Sequence, residues 1–286
     1  MEKYLLNRDF VVRGIFTFYL ISLIFRYFGG GFMHQFEDPI LSYPSINITY
    51  WLFLLLKIPQ FLTSNFFVAL TADIILLGSC ISLIIWPQKN YLAIIFTIGY
   101  WLNYMGYCLV NAYQASVYAP LLLCLPAMFK QSVNFSLCFW AVRLWACFLY
   151  FEAGFLKVLR GGVFHLDQMV NSIKLTLSLY LAQAPSHSIN LDLKYYLISH
   201  PVFAQSLYIA ATLLELTFLI GFFTRRYDWL LLSLFLLFHS VNQYILNMPF
   251  LSHQILFACC FINWQRLEPL IISVSPSLSK IKPEKY

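Results

Sequence analysis

Charge is what this chain has least of. Only 10% of its 286 residues are charged, against about 25% in an ordinary soluble domain, so it lacks the material for a solvated globular surface. Signature motifs are scarce as well. No P-loop, GxGxxG turn or HExxH helix is present, which removes the common nucleotide-binding and zinc-peptidase readings. The seven cysteines form no CxxC pair and sit in apolar runs, so they read as small packing residues. His34, His165, His187, His200 and His253 have no metal-site spacing on one helix, and no metal is expected. No internal repeat or low-complexity segment stands out. The stretch from Met1 to Arg13 lacks the basic-then-apolar form of a cleaved leader, so the first apolar run is expected to be retained.

What is present in quantity is apolar and aromatic. The chain is 60% hydrophobic, with 28 Phe, 19 Tyr and 7 Trp, and its mean hydropathy is +0.72. The expected fold is all-α: a polytopic membrane helix bundle over 1–286 as one transmembrane domain. A crossing needs about 20 apolar residues. Eight runs fit, at 11–28, 65–86, 91–111, 114–130, 135–158, 203–223, 227–247 and 252–272. Two shorter pieces, 49–62 and 165–183, are interrupted by Lys57-Ile58-Pro59 and by Lys174, and read as interfacial helices.

Lysine and arginine in short loops resist translocation and set orientation. With the N-terminus in the cytoplasm, that side collects Lys3, Arg8, Lys89, Lys130, Arg225, Arg226, Arg266, Lys280, Lys282 and Lys285. The other side receives Glu37, Asp38, the 111–115 and 247–252 turns and the long polar stretch 160–201. Both termini are therefore expected in the cytoplasm, in a bacterial inner membrane. The net charge of +6 follows from this bias and gives no reason to expect a nucleic-acid partner. The partner expected is membrane lipid, with a lipid-soluble small molecule as candidate ligand and no protein partner indicated.

An ionisable group near the bilayer centre costs at least about 2.5–3.5 kcal/mol, so each needs a counter-charge, a wet cavity or a function. Such groups are Asp73, Arg143, Glu152, Lys157, Glu215 and His239. Arg143, Tyr150 and Lys157 are spaced seven apart, within about 40° on one helix face, and Gly154 shares that stripe. Glu152 lies on the opposite face and is no partner for Arg143. His239, Asn242 and Gln243, at i, i+3 and i+4, make a second polar face. Two readings stand open. In one, these groups are structural: Arg143 pairs with Glu215 and Lys157 reaches toward the headgroups. In the other, Lys157 sits in an apolar wall as a working base, beside a Gly154 gap that admits a ligand ring, and His239 handles protons or substrate.

The segment from Arg143-Leu144 through Tyr150-Phe151-Glu152-Ala153-Gly154-Phe155-Leu156-Lys157 resembles the R-L…Y-x-x-A-G-x-x-K helix of the horizontally transferred transmembrane (HTTM) family, which includes the vitamin K-dependent gamma-carboxylases. Leu214-Glu215-Leu216, Arg225-Arg226, Phe238-His239-Ser240-Val241-Asn242-Gln243 and Met248-Pro249-Phe250 resemble the family's acidic helix, F-H-x-x-N helix and closing aromatic. Residue-level likeness is confined to about 135–265. The resemblance implies Lys157 as the base that deprotonates a reduced quinone, His239 lining the pocket, and Arg143, Tyr150, Gly154, Glu215 and Asn242 on the substrate side. Departures are plain. Asn111-Ala112-Tyr113-Gln114 stands where the carboxylases carry N-N-H, and Gly161-Gly162-Val163-Phe164 where a W-x-x-G segment follows the lysine. The large extracytoplasmic domain that binds protein substrates is not expected here, so the expected substrate is a lipid-soluble molecule. The alternative is a non-enzymatic membrane subunit or maturation factor of the HTTM or DoxX-like type.

The charge bias makes a direct prediction. In a background without native cysteines, single cysteines at 225–226 and at 187–190 should react with an impermeant maleimide from opposite faces of the membrane. Labelling of both from one face would overturn the orientation.

Overall fold

The computed structural model describes residues 5–36, 48–110, 121–181, 189–246 and 251–274. Every regular element among them is helical, as required of a chain that must satisfy its backbone groups without water. In order they are α1 (Arg8–Phe28), a 3-10 turn (Met33–Gln35), α2 (Ile48–Leu55), α3 (Ile58–Ser64), α4 (Phe66–Ile85), α5 (Asn90–Val110), α6 (Cys124–Ala127) and α7 (Ser132–Leu159). A second 3-10 turn (Gly162–Phe164) precedes α8 (Gln168–Leu181), α9 (Ile189–Ser199), α10 (Pro201–Thr217), α11 (Ile220–Phe223), α12 (Asp228–Leu246), α13 (Leu251–Phe261) and α14 (Trp264–Val274).

Five helical stretches are long and apolar enough to cross a bilayer: Arg8–Gln35, Phe66–Ile85, Ser132–Leu159, Pro201–Phe223 and Asp228–Leu246. They match the first, second, fifth, sixth and seventh expected spans. The third forms α5, which has 21 residues but is not among the five. Of 114–130, the part before Leu121 lies outside the described residues, and the rest holds Leu121 and Leu122 in helix and the short α6. One expectation differs: 252–272 divides into α13 and α14, of 11 residues each. A helix of that length rises about 16 Å, roughly half the hydrocarbon thickness. The break falls at Asn263, whose side chain accepts from the Arg266 N–H at 3.2 Å and starts α14 afresh.

Of the two shorter pieces, 49–62 is interrupted at Lys57, whereas α8 runs unbroken through Lys174. Lys57 takes a left-handed φ of 53° between α2 and α3. On α8, Met169, Val170, Ile173 and Leu177 are buried while Asn171 and Lys174 are exposed. The 111–115 turn, Glu37, Asp38, Met248 to Phe250 and the basic tail beyond Val274 lie outside the described residues.

The chain forms two compact units, residues 1–140 with 263–286, and residues 141–262. In the first, α1, α4 and α5 pack around rings: Phe16 meets Phe96 edge-on at 5.0 Å, and Tyr19 meets Tyr100 at 5.2 Å. At the end of α1 the glycine triplet turns the chain, with Gly30 at φ +69° and the Gly31 N–H donating to Arg26 O at 2.8 Å. Asp73 locks the next turn. It accepts from the Met33 and His34 backbone N–H groups at 3.1 and 3.0 Å and lies 2.8 Å from His34 Nδ1.

At the start of α1, buried Arg8 donates to Pro87 O and Phe129 O at 2.7 Å and to Ala127 O at 3.1 Å. The first turn of α1, the turn before α5 and the segment after α6 therefore meet at one end. There α14 is also fastened: Gln265 Nε2 donates to Leu5 O at 3.1 Å, and Glu268 accepts from Asn7 Nδ2 at 2.5 Å.

The second unit holds most of α7 and α8 through α13. Met169, Val170, Ile173, Leu197, Ala204 and Ile245 form one apolar core between α8, α9, α10 and α12. Lys194 on α9 is fully buried, and desolvation pushes its pKa down. Nothing in the polar 160–201 stretch marks it as an interior residue.

A methyl group on Gly14 would overlap the buried Trp264 ring. Gly14→Ala should cost about 1–3 kcal/mol in detergent unfolding. In a Trp264→Leu background that cost should vanish, leaving the small helix-propensity gain of alanine. Equal costs in both backgrounds would mean that the two residues do not touch.

Candidate functional site

The site grows from one helix face. Arg143, Tyr150 and Lys157 stand along α7 at the expected heptad spacing, and each takes a different partner from the helices packed against it. Arg143 Nη2 donates to Asp228 Oδ1 at 2.5 Å and Nη1 to Gly221 O at 2.8 Å. Its guanidinium also lies 5.0 Å from the Phe261 ring centre. Tyr150 Oη and His239 Nε2 share a hydrogen bond of 2.5 Å. Lys157 Nζ donates to both Glu215 oxygens, at 2.6 and 2.8 Å, with the Tyr208 ring centre 5.5 Å away.

These findings revise two expectations. Arg143 does not pair with Glu215, because 14 residues of helix separate Arg143 from Lys157, a rise of about 21 Å. Glu215 is level with Lys157, so it cannot serve both ends, and Asp228 takes the arginine. Nor is Gly154 beside a gap. A Cβ there would come within 2.9 Å of Glu215 Cβ and 3.1 Å of Thr212 O, so the missing side chain admits α10 itself. Gly221 has the corresponding role on α11: a Cβ would lie 2.6 Å from Cys147 Sγ, and the close approach brings the Gly221 carbonyl to Arg143.

Between the two ion pairs lies a block of rings. Tyr150 packs on Phe257 at 4.6 Å, Phe235 at 5.0 Å and Phe218 at 5.2 Å, while Phe235 stacks on Phe257 at 4.0 Å. His239 is buried within it. Asn242 is half-buried and Gln243 exposed; neither joins the network. Among the described residues, nothing pairs with half-buried Glu152.

The pairs differ in access. The side chains of Arg143 and Asp228 are 4% and 8% exposed, whereas Lys157 is 30% exposed over a Glu215 that is 5% exposed. A loop closes this end of α7. Gly161 turns it at φ +74°, and Gln205 Nε2 donates to Gly162 O and Val163 O at 3.0 Å.

Asp228, Gly221, Tyr208, Gln205 and buried His253 were not anticipated. Asp228 follows Arg225-Arg226 at the edge of its span, where a carboxylate is ordinary, and nothing in the sequence singles it out. The packing phenylalanines carry no signal in a chain with 28 of them. Among the described residues, no three or more His, Cys, Asp or Glu gather as a metal site would need. No family model matches the chain, and no curated protein or solved structure matches it.

The Arg143–Asp228 contact is a buried ion pair, so removing one partner should cost more than removing both. Asp228→Leu alone should destabilise the protein by about 3–5 kcal/mol. Arg143→Met with Asp228→Leu should cost clearly less, as read by reversible unfolding in mixed micelles. A double variant as unstable as the single one would show that the charges do not depend on each other.

Proposed function

We propose that the second unit is a membrane-embedded proton-handling centre, acting on a lipid-soluble substrate of quinone type, in which Lys157 and Glu215 work as one group. The observation that carries this reading is the Lys157–Glu215 pair: a bidentate contact whose carboxylate is sealed while its amine is partly open. The likeness of Arg143 to Lys157 to the HTTM helix supports it independently. Moving one proton along the short N–H···O bond turns ammonium and carboxylate into amine and carboxylic acid. The amine then takes the hydroxyl proton of a reduced quinone, giving ammonium and quinolate; Lys157 releases that proton to water at its open side and is resupplied by Glu215, so the ammonium–carboxylate pair is restored and the net change is one proton moved from hydroquinone to water. Tyr150 and His239, one heptad deeper, supply a second hydrogen-bonded proton carrier. Arg143 and Asp228 position α7 and do not touch substrate.

The setting we propose is a bacterial inner membrane with both termini cytoplasmic and an even number of crossings. A second reading, a non-enzymatic bundle subunit, is favoured by one observation: α10 fills the space at Gly154. Proteoliposomes supplied with reduced naphthoquinones and benzoquinones separate the two. With dissolved oxygen as the oxidant, which takes two electrons from the quinolate and leaves as hydrogen peroxide, the wild-type protein should speed the oxidation of at least one of them. Lys157→Met and Glu215→Gln should lose about 10²–10⁴-fold, and Lys157→Arg should be equally inactive because guanidinium does not release its proton. Retained turnover in the arginine variant, or none in the wild type across the panel, favours the structural reading.

A further inference from the structure

One end of the first unit carries cations that no acid among the described residues neutralises. Arg8 gathers the start of α1, the 86–90 turn and the 127–130 segment by its bonds to Pro87, Ala127 and Phe129, and α14 is tied to the same place through Leu5 and Asn7. Arg13, Lys89, Lys130 and Arg266 therefore belong to one surface. Its acids are already engaged: Asp9 with Arg8 and Gln88, Glu268 with Asn7. Among the described residues no ion pair reaches any of the four cations, and half-buried Arg13 holds a buried Nε without a hydrogen-bond acceptor.

The same surface exposes large apolar groups. Trp86 is 53% exposed, Phe129 42% and Leu270 63%. On α14 the helical period places Leu267, Leu270 and Ile271 on one side and Gln265, Pro269 and Ser273 on the other, with Arg266 at the border. Trp264 is turned inward against Phe10. Water suits the cations but not the rings, and hydrocarbon suits the rings but not the cations. The boundary between phosphates and acyl chains suits both.

We propose that this end of the first unit is a binding surface for anionic phospholipid headgroups, with α14 lying along the interface, its leucines in the acyl region and Arg13, Lys89, Lys130 and Arg266 on headgroup phosphates. Arg13 lies five residues into α1, about 7–8 Å along the axis, the depth at which a guanidinium reaches a phosphate from below. This surface shares no residue with the Lys157–Glu215 site and stands or falls independently of it.

The test uses the full chain reconstituted in mixed bilayers, with spin-labelled phosphatidylglycerol and phosphatidylcholine as probes of lipid association. Wild-type protein should prefer phosphatidylglycerol about threefold or more, and the preference should fall as salt rises. Replacing Lys89, Lys130 and Arg266 by Gln should remove most of it, since each basic residue near an anionic surface adds to the attraction. Adding Arg13→Gln should bring the ratio to one. The first three side chains are exposed, so the triple variant remains a valid test even if the quadruple variant fails to fold. A wild-type ratio near one, or a triple variant with the wild-type ratio, overturns the proposal. A nitroxide at Leu270 should collide with oxygen more than with a water-soluble nickel complex, and the reverse would remove α14 from the interface.

Discussion

The second unit depends on the contact of Arg143 with Asp228 and the Gly221 carbonyl. A guanidinium taken out of water is tolerable only if its charge and its directional N–H groups are both met. Here one carboxylate meets the charge and one backbone carbonyl meets a second donor. The carbonyl is available because Gly221, in the short helix α11, carries no side chain to hold Cys147 away. A single arginine thereby ties α7 to the break between α10 and α12. The aromatic block inherits that geometry, since Phe218 and Phe235 lie on the elements so joined.

The all-helical class and the five helices long and apolar enough to cross a bilayer were legible from the apolar runs, because length and hydropathy are properties of a window and need no knowledge of neighbours. The polar face of α7 was legible too, since a seven-residue spacing keeps side chains on one side of any helix. Partners were not. Pairing Arg143 with Glu215 followed charge complementarity but ignored height, and two helical turns per heptad are enough to exchange one acid for another. Gly154 shows the same limitation. A missing side chain has the same spelling whether the space belongs to a ligand or to the backbone of the next helix, and only the position of α10 distinguishes them. The division of 252–272 was hidden because Asn263 is one polar residue in an apolar run, yet its side chain caps a new helix.

The three contacts along α7 form a graded series. The contact at Arg143 is an ion pair closed on both sides, the one at Tyr150 joins a phenol and an imidazole inside a stack of rings, and the one at Lys157 is an ion pair with one open side. In a medium that penalises separated charge, rigidity is greatest where both partners are excluded from solvent. Adaptability is greatest where one partner can exchange its contact for another. Lys157 has that freedom, with a flexible four-carbon stem and a partly exposed amine, whereas Glu215 is fixed in the interior.

That arrangement gives the exposed amine a defined resting position without enclosing it. The loop at Gly161 and Gly162, fastened by Gln205, stops α7 directly after Lys157, so the amine lies at the end of the helix and not on its flank. The Tyr208 ring forms one wall beside it, and Gly154 brings α10 close enough for Glu215 to chelate it. A ligand arriving from the lipid would therefore meet the nitrogen edge of an ion pair, with the carboxylate shielded behind. The same close packing that removes a pocket beside Gly154 is what presents Lys157 outward, so any chemistry at this site belongs on the surface of the bundle and not within it.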